Sequence, residues 1–178
     1  MNVISVLLLA ALVTQAQGSG VAGSRTPPRI SLAAADEPGE RLIVFGRVFG
    51  PDGKTPVADA SLYVYQTDKD GIYSKPVSDS RTPRLRANLR SDSEGRYEYS
   101  TIKPGSYPDT RSPAHIHYVV NAPGYRERIF EIVFEDDPLV NERIRADAAR
   151  EDSGFSIRSL TRDAQGVLRC TQDIRLKN

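Results

Sequence analysis

The sequence predicts an all-β domain, an antiparallel β-sandwich with one short helix near the C-terminus. Three observations predict it. Short runs rich in β-branched and aromatic residues recur along the body of the chain, Gly and Pro interrupt them at close spacing, and a central run alternates its two faces. The 178 residues leave room for one domain of ordinary size and a short extension. Hydrophobic residues at 39% and charged residues at 26% are a globular balance, sufficient to bury a core.

The elements follow in order. Residues 1–16 (MNVISVLLLAALVTQA) carry no charged side chain and are apolar from Val3 to Val13. That run falls short of the roughly 20 apolar residues that span a bilayer. It fits a signal peptide ending at the small-residue cleavage site Thr14-Gln15-Ala16. Residues 17–40, rich in Gly, Ser, Ala and Pro, read as a flexible leader. Residues 41–178 read as the folded domain, so the expectation is an exported protein, periplasmic or secreted, free of the membrane after cleavage.

Arg41–Phe49 (RLIVFGRVF) reads as a strand that stops at Gly50-Pro51-Asp52-Gly53. Residues 60–67 (ASLYVYQT) alternate, with Leu62, Val64 and Gln66 on one face and Tyr63, Tyr65 and Thr67 on the other. That strand ends before Asp70-Gly71. Arg96–Ile102 stops at Pro104-Gly105, and His115–Asn121 is parted from a strand over 128–135 by Ala122-Pro123-Gly124. Residues 141–150 form the one expected helix. Residues 155–160 and 167–176 are expected to close the fold as a hairpin around Asp163-Ala164-Gln165-Gly166. Arg81, Arg84, Arg86 and Arg90 read as a solvated loop balanced by Asp79, Asp92 and Glu94, or as a basic rim for carboxylated aromatics.

With 24 basic and 23 acidic residues, the net charge of +1 removes the main attraction to nucleic acid or an anionic membrane. The single cysteine, Cys170, excludes an intramolecular disulfide and a thiolate zinc cluster, and reads as a buried small hydrophobe. Only two histidines are present, His115 and His117. At i and i+2 on a strand they share a face, about 7 Å apart along the backbone, which lets both rings converge on one metal ion. The bland alternative is a pair of surface or core histidines.

With no cysteine pair, the remaining ligands must be oxygen donors. A carboxylate completing a two-histidine ferrous site stays open at this point. Two tyrosines stand in more telling places: Tyr73 follows Asp70-Gly71, and Tyr107 follows Pro104-Gly105, eight residues before His115. A phenol of pKa near 10 serves as an anionic ligand only beside a strongly Lewis-acidic ion, and ferric iron is one. Without a metal, each of the two would be an ordinary strand-end residue among 8 tyrosines.

Here the chain resembles the intradiol ring-cleavage dioxygenases, in particular the protocatechuate 3,4-dioxygenase branch. The matching stretches come in family order: GRVFGPDGKTPVADASLYVYQTDKDGIYS, LRSDSEGRYEYSTIKPGSYP, RSPAHIHYVV, FEIVFEDDPL and CTQDIRL. Together they run over roughly residues 41–176. The resemblance implies a non-haem Fe(3+) ion held by Tyr73 and His117 in equatorial positions and by Tyr107 and His115 in axial ones. It also implies a small catecholic substrate, dioxygen as co-substrate, and ring opening between the two hydroxylated carbons to a muconate-type diacid. Tyr107 would leave the metal and take a substrate proton, and Arg111 would stabilise negative charge on the substrate.

This chain departs from the family pattern at several places. Ser112 sets Arg111 four residues before His115 where the family has three. Tyr65, ahead of Gln66, replaces a tryptophan, and Glu131 stands where the family strand carries a glutamine. Tyr65, Gln66 and Glu131 are expected to line the substrate pocket. Two other readings stand beside the dioxygenase: a non-catalytic module of the transthyretin-like or carboxypeptidase-regulatory kind, and an iron-binding relative without ring cleavage. Self-association as a homo-oligomer is left open by the residues.

Overall fold

A computed structural model describes residues 30–76, 78–150 and 152–178. The signal peptide read in 1–16 and residues 17–29 of the leader lie outside the described residues.

Two sheets pack face to face. The first runs in the order β1 (Ile30–Ser31), β5 (Arg96–Ile102), β2 (Arg41–Phe49), β10 (Leu168–Thr171) and β9 (Thr161–Arg162), and β11 (Ile174–Arg175) also pairs with β2. The second runs β4 (Leu85–Arg90), β3 (Ser61–Gln66), β6 (His115–Asn121), β7 (Arg128–Phe134) and β8 (Phe155–Arg158). The helix α1 (Glu142–Ala148) connects β7 to β8.

The strands take these places because their side chains alternate. Leu42, Val44 and Val48 of β2 and Tyr97 and Tyr99 of β5 turn inward from the first sheet. Leu62 and Val64 of β3, Ile116, Tyr118 and Val120 of β6, and Phe130, Ile132 and Phe134 of β7 meet them from the second. Each such aliphatic or Phe side chain, removed wholly from water, contributes about 1.5–3 kcal/mol. The same alternation sends His115, His117 and Val119 of β6 to the outer face of the second sheet. There Tyr65 is registered opposite His117, and His117 opposite Glu131, so one row crosses three strands.

The structure corrects four expectations of detail. Folded chain starts at least ten residues before the expected boundary: Ile30–Ser31 pairs with Tyr99 and Ser100, and Leu32 and Ala33 are buried. The pairing is antiparallel through the central strands but parallel at β1–β5, β10–β2, β11–β2 and β7–β8. The expected final hairpin is split, because β9 pairs with β10 while residues 155–158 join the opposite sheet as β8. Residues 85–90, read as part of a loop, form β4 with Leu85 and Leu89 buried. Of the four arginines noted in this region, Arg81 pairs with Asp79, Arg84 with Glu37 and Arg90 with Asp59, while Arg86 donates to the Pro83 carbonyl. The helix lies within the expected span, capped by the Asn141 side chain, which accepts from the Ile144 amide.

Candidate metal centre

Two loops bring the tyrosines over the outer face of β6. The Asp68 carboxylate accepts from the amides of Asp70 and Ile72 and so shapes the first loop. Gly105 donates to the Asp68 carbonyl at 2.8 Å, and the Thr67 hydroxyl donates to the Gly105 carbonyl at 2.9 Å, tying the second loop to the first. The approach is too close for a side chain. A Cβ on Gly71 would fall 2.0 Å from the Ser106 carbonyl oxygen, and one on Gly105 2.3 Å from that of Lys69. Gly71 also sits at φ +78°, which glycine adopts without strain. Tyr73 is held further by its carbonyl, which accepts from Arg84, and by its amide, which donates to the Ser78 hydroxyl.

The result is a tight cluster of four donor atoms. The Tyr73 and Tyr107 hydroxyl oxygens lie 2.5 Å apart, Tyr73 lies 2.6 Å from His117 Nε2, and Tyr107 lies 2.9 Å from His115 Nε2. The far edges of both rings are occupied. His115 Nδ1 meets the Pro113 carbonyl at 2.7 Å, and His117 Nδ1 meets Glu131 Oε1 at 3.1 Å. A carbonyl and a carboxylate can only accept, so both Nδ1 atoms carry a proton and both Nε2 atoms are turned toward the cluster, where a neutral imidazole presents its lone pair.

Proton counting then decides what the cluster fits. With both imidazoles neutral, three contacts among the four donor atoms share two hydroxyl protons. One contact must therefore set lone pair against lone pair. A cation at the common point removes that conflict, and a hard, highly charged one suits two phenol oxygens and two imidazole nitrogens. Burial, and for Tyr73 also the hydrogen bond to Tyr107, pushes the Tyr73 phenol far above its usual pKa. Burial raises Tyr107 as well and lowers His115. In the metal-free site burial thus favours protonated Tyr73 and Tyr107 phenols and a neutral His115. Burial acts to raise the Glu131 pKa, but its hydrogen bond with His117, beside the second imidazole, outweighs this and holds the carboxyl below its usual value. His115, His117 and Glu131 also form a group whose possible ligand atoms lie within 4.8 Å of one another. Glu131 nevertheless meets His117 at the ring edge opposite Tyr73.

A cavity of about 220 Å³ opens beside the cluster, lined among others by Tyr107, Arg111, His115, Glu131, Ile144 and Phe155. Residues 108–114 pair with no strand, so the extra Ser112 has no sheet register to reverse, and Arg111 borders the same cavity as Tyr107 and His115. Its guanidinium has no partner among the described residues.

Tyr65 stacks on His117, ring centroids 4.4 Å apart and 7° from parallel, and so supports a donor ring instead of bordering this cavity. Gln66 corrects the expected pocket. It is fully buried on the inner face, accepting from Thr101 Oγ1 and donating to the Ile102 and Thr67 carbonyls, and does not reach the cluster. Ile144 and Phe155, from α1 and β8, were not foreseen as cavity walls. Nothing local in the sequence connects them to His115.

Comparison with known proteins adds a second line of support. The Dioxygenase_C family, described as Dioxygenase, matches residues 19–178. Catechol 1,2-dioxygenase 2 of Acinetobacter lwoffii is 35% identical over 120 residues, 58% of this chain and 43% of that protein. A hydroxyquinol 1,2-dioxygenase of Nocardioides simplex is 36% identical over 133 residues, 64% of this chain and 45% of that protein. The chain therefore spans less than half the length of these two relatives. Among solved structures, the dioxygenase domain of a dioxygenase–carbohydrate-binding protein fusion from Streptomyces sp. SirexAA-E superposes with a TM-score of 0.65. It is 28% identical, and the match covers 86% of this chain and 90% of that one.

Proposed function

Because the chain belongs to the intradiol ring-cleavage dioxygenase family, we propose that it is a non-haem ferric dioxygenase opening a catecholic ring between its two hydroxylated carbons. The observation that carries this reading is the convergence of the Tyr73 and Tyr107 hydroxyls with the Nε2 atoms of His115 and His117. A non-catalytic sandwich module has no need of that convergence.

Tyr73, Tyr107, His115 and His117 would hold the iron. Bound there, a ferric ion lowers the phenol pKa values and draws electron density from a chelated catecholate, exposing a ring carbon to dioxygen. The chain's own groups do the rest. The Tyr107 phenolate borders the cavity and is placed to receive a catechol proton. Arg111, with no partner among the described residues, borders the cavity and is placed to stabilise charge that develops on the substrate. The apolar side chains of Val133, Ile144 and Phe155 line the cavity and would lie against an aromatic ring held there. Both oxygen atoms of O2 enter the product, so catechol and O2 balance against the diacid with no further reductant. Catechol or hydroxyquinol is the substrate class, following the names of the relatives.

The test is reconstitution of the full chain with iron. A red-brown phenolate-to-ferric charge-transfer band, and one O2 consumed per muconate-type diacid formed from catechol or hydroxyquinol, are the expected results. A colourless protein that binds no iron overturns the proposal. Export belongs to the same proposal, supported by the apolar run from Val3 to Val13 and the Thr14-Gln15-Ala16 site. N-terminal sequencing of the exported chain should begin at Gln17, and a chain retained intact inside the cell overturns that part.

A further inference from the structure

The two histidines are backed differently, and the difference has a chemical consequence. His115 Nδ1 donates to the neutral carbonyl of Pro113, and the residue registered opposite His115 on β7 is the apolar Val133. His117 Nδ1 donates to the carboxylate of Glu131, registered opposite it on the same strand. The Glu131 side chain is 30% exposed and that of His117 16%, so the pair is only partly screened by solvent. The Tyr65 ring covers one face of the imidazole. His117 is thus fixed at its edge and its face, while a full negative charge stands directly behind it.

We propose that Glu131 is a positioning residue that makes His117 the stronger nitrogen donor of the two and biases the centre toward ferric iron. The proposal rests on the ferric reading given above. A carboxylate accepting the Nδ1 proton fixes the tautomer and raises the basicity of Nε2. Its negative charge, held behind the ring and outside any coordination position, also favours the more highly charged ferric ion. A neutral acceptor at the same place would preserve the ring orientation and lose that charge. Because Glu131 and Tyr73 meet opposite edges of the His117 ring, Glu131 acts through the imidazole and is not itself a ligand.

Glu131→Gln separates charge from geometry, since the amide oxygen still accepts from Nδ1. In the iron-loaded full chain, Glu131→Gln should retain iron while its charge-transfer band moves to longer wavelength, because the ion becomes more electron-poor. Preferential weakening of ferric over ferrous binding by 10–100-fold, the usual range for an outer partner of a metal ligand, corresponds to a rise in potential of about 60–120 mV. Glu131→Leu removes the acceptor as well and should weaken ferric binding further. Thermal unfolding of the metal-free variants checks the fold, and Glu131→Gln alone suffices if the leucine variant fails to fold. An unchanged band and potential in Glu131→Gln overturn the proposal, and so does complete loss of iron, which would make Glu131 a ligand. A wild-type chain that takes up no iron overturns the ferric reading and this inference together. A coloured wild type with an indifferent Glu131→Gln overturns only this inference.

Discussion

Two pairs of tyrosines in this protein touch at the same distance and do different things. Tyr99 and Tyr118 meet hydroxyl to hydroxyl at 2.5 Å between the two sheets, and Tyr73 and Tyr107 meet at 2.5 Å outside the second sheet. Their rings are inclined alike, at 56° and 53°. In the core, Tyr97 adds a third hydroxyl, which donates to the Gln172 carbonyl, so each contact there has a proton of its own. At the outer pair, two imidazole nitrogens instead aim at the same two oxygens. A short phenol–phenol contact therefore does not mark a metal site. The mark is the convergence of two imidazole nitrogens on it.

The largest effect that would sharpen this contrast is expected from Tyr73→Phe. Ring volume is kept, so the urea midpoint should barely move, but ferric affinity should fall more than about 100-fold, beyond the usual range for outer partners. Retention of full iron and colour would erase the distinction between the two pairs. Next comes Gly71→Ala. Alanine at φ +78° costs about 1–2 kcal/mol, and its Cβ would meet the Ser106 carbonyl at 2.0 Å, so the loops carrying Tyr73 and Tyr107 must part. Loss of stability together with weaker iron binding is expected, from unfolding and elemental analysis on the same preparation.

Tyr118→Phe should give the opposite pattern. It strands the buried Tyr99 hydroxyl at a cost of about 1–3 kcal/mol, read by urea unfolding, and leaves iron content unchanged. The smallest effect is a matter of slope. Burial holds Tyr97, Tyr99 and Tyr118 well above the usual phenol pKa. Below about pH 10 both folded and unfolded chains keep these protons, and the stability they support is fully present. Above that value the unfolded chain releases them and the folded chain does not, so stability falls as pH rises through the folded values. Each phenol contributes about 1.4 kcal/mol per pH unit in that window. Tyr118→Phe should make the alkaline decline shallower by one such step, and an identical decline would remove Tyr118 from the set.

How far the site could be read from sequence differs residue by residue. The spacing of His115 and His117 placed both on one face because strand alternation is local, and β6 keeps it. Tyr73 and Tyr107 were legible as residues just past glycine turns, and those turns are the places where the two loops touch. Gln66 was misplaced for a local reason too: it alternates with Tyr65, so if Tyr65 faces the site then Gln66 faces the core. β4 carried the signal Leu85-x-Ala87-x-Leu89, but the polar Arg86, Asn88 and Arg90 among and after them masked it.

By itself, the sequence determined the sandwich class, the strand spans around the site, the outward pair of histidines and the family, because alternation, turn residues and motif order are written in neighbouring positions. The tertiary structure alone decided that β8 crosses to the second sheet and that Ile144 and Phe155 wall the cavity. It also decided that Glu131 stands behind His117 and not among the ligands. Those outcomes depend on cross-strand register and on loop contacts between residues tens of positions apart. Their energies are set by which groups are left to share a proton once the chain has closed, and no stretch of neighbouring residues carries that information.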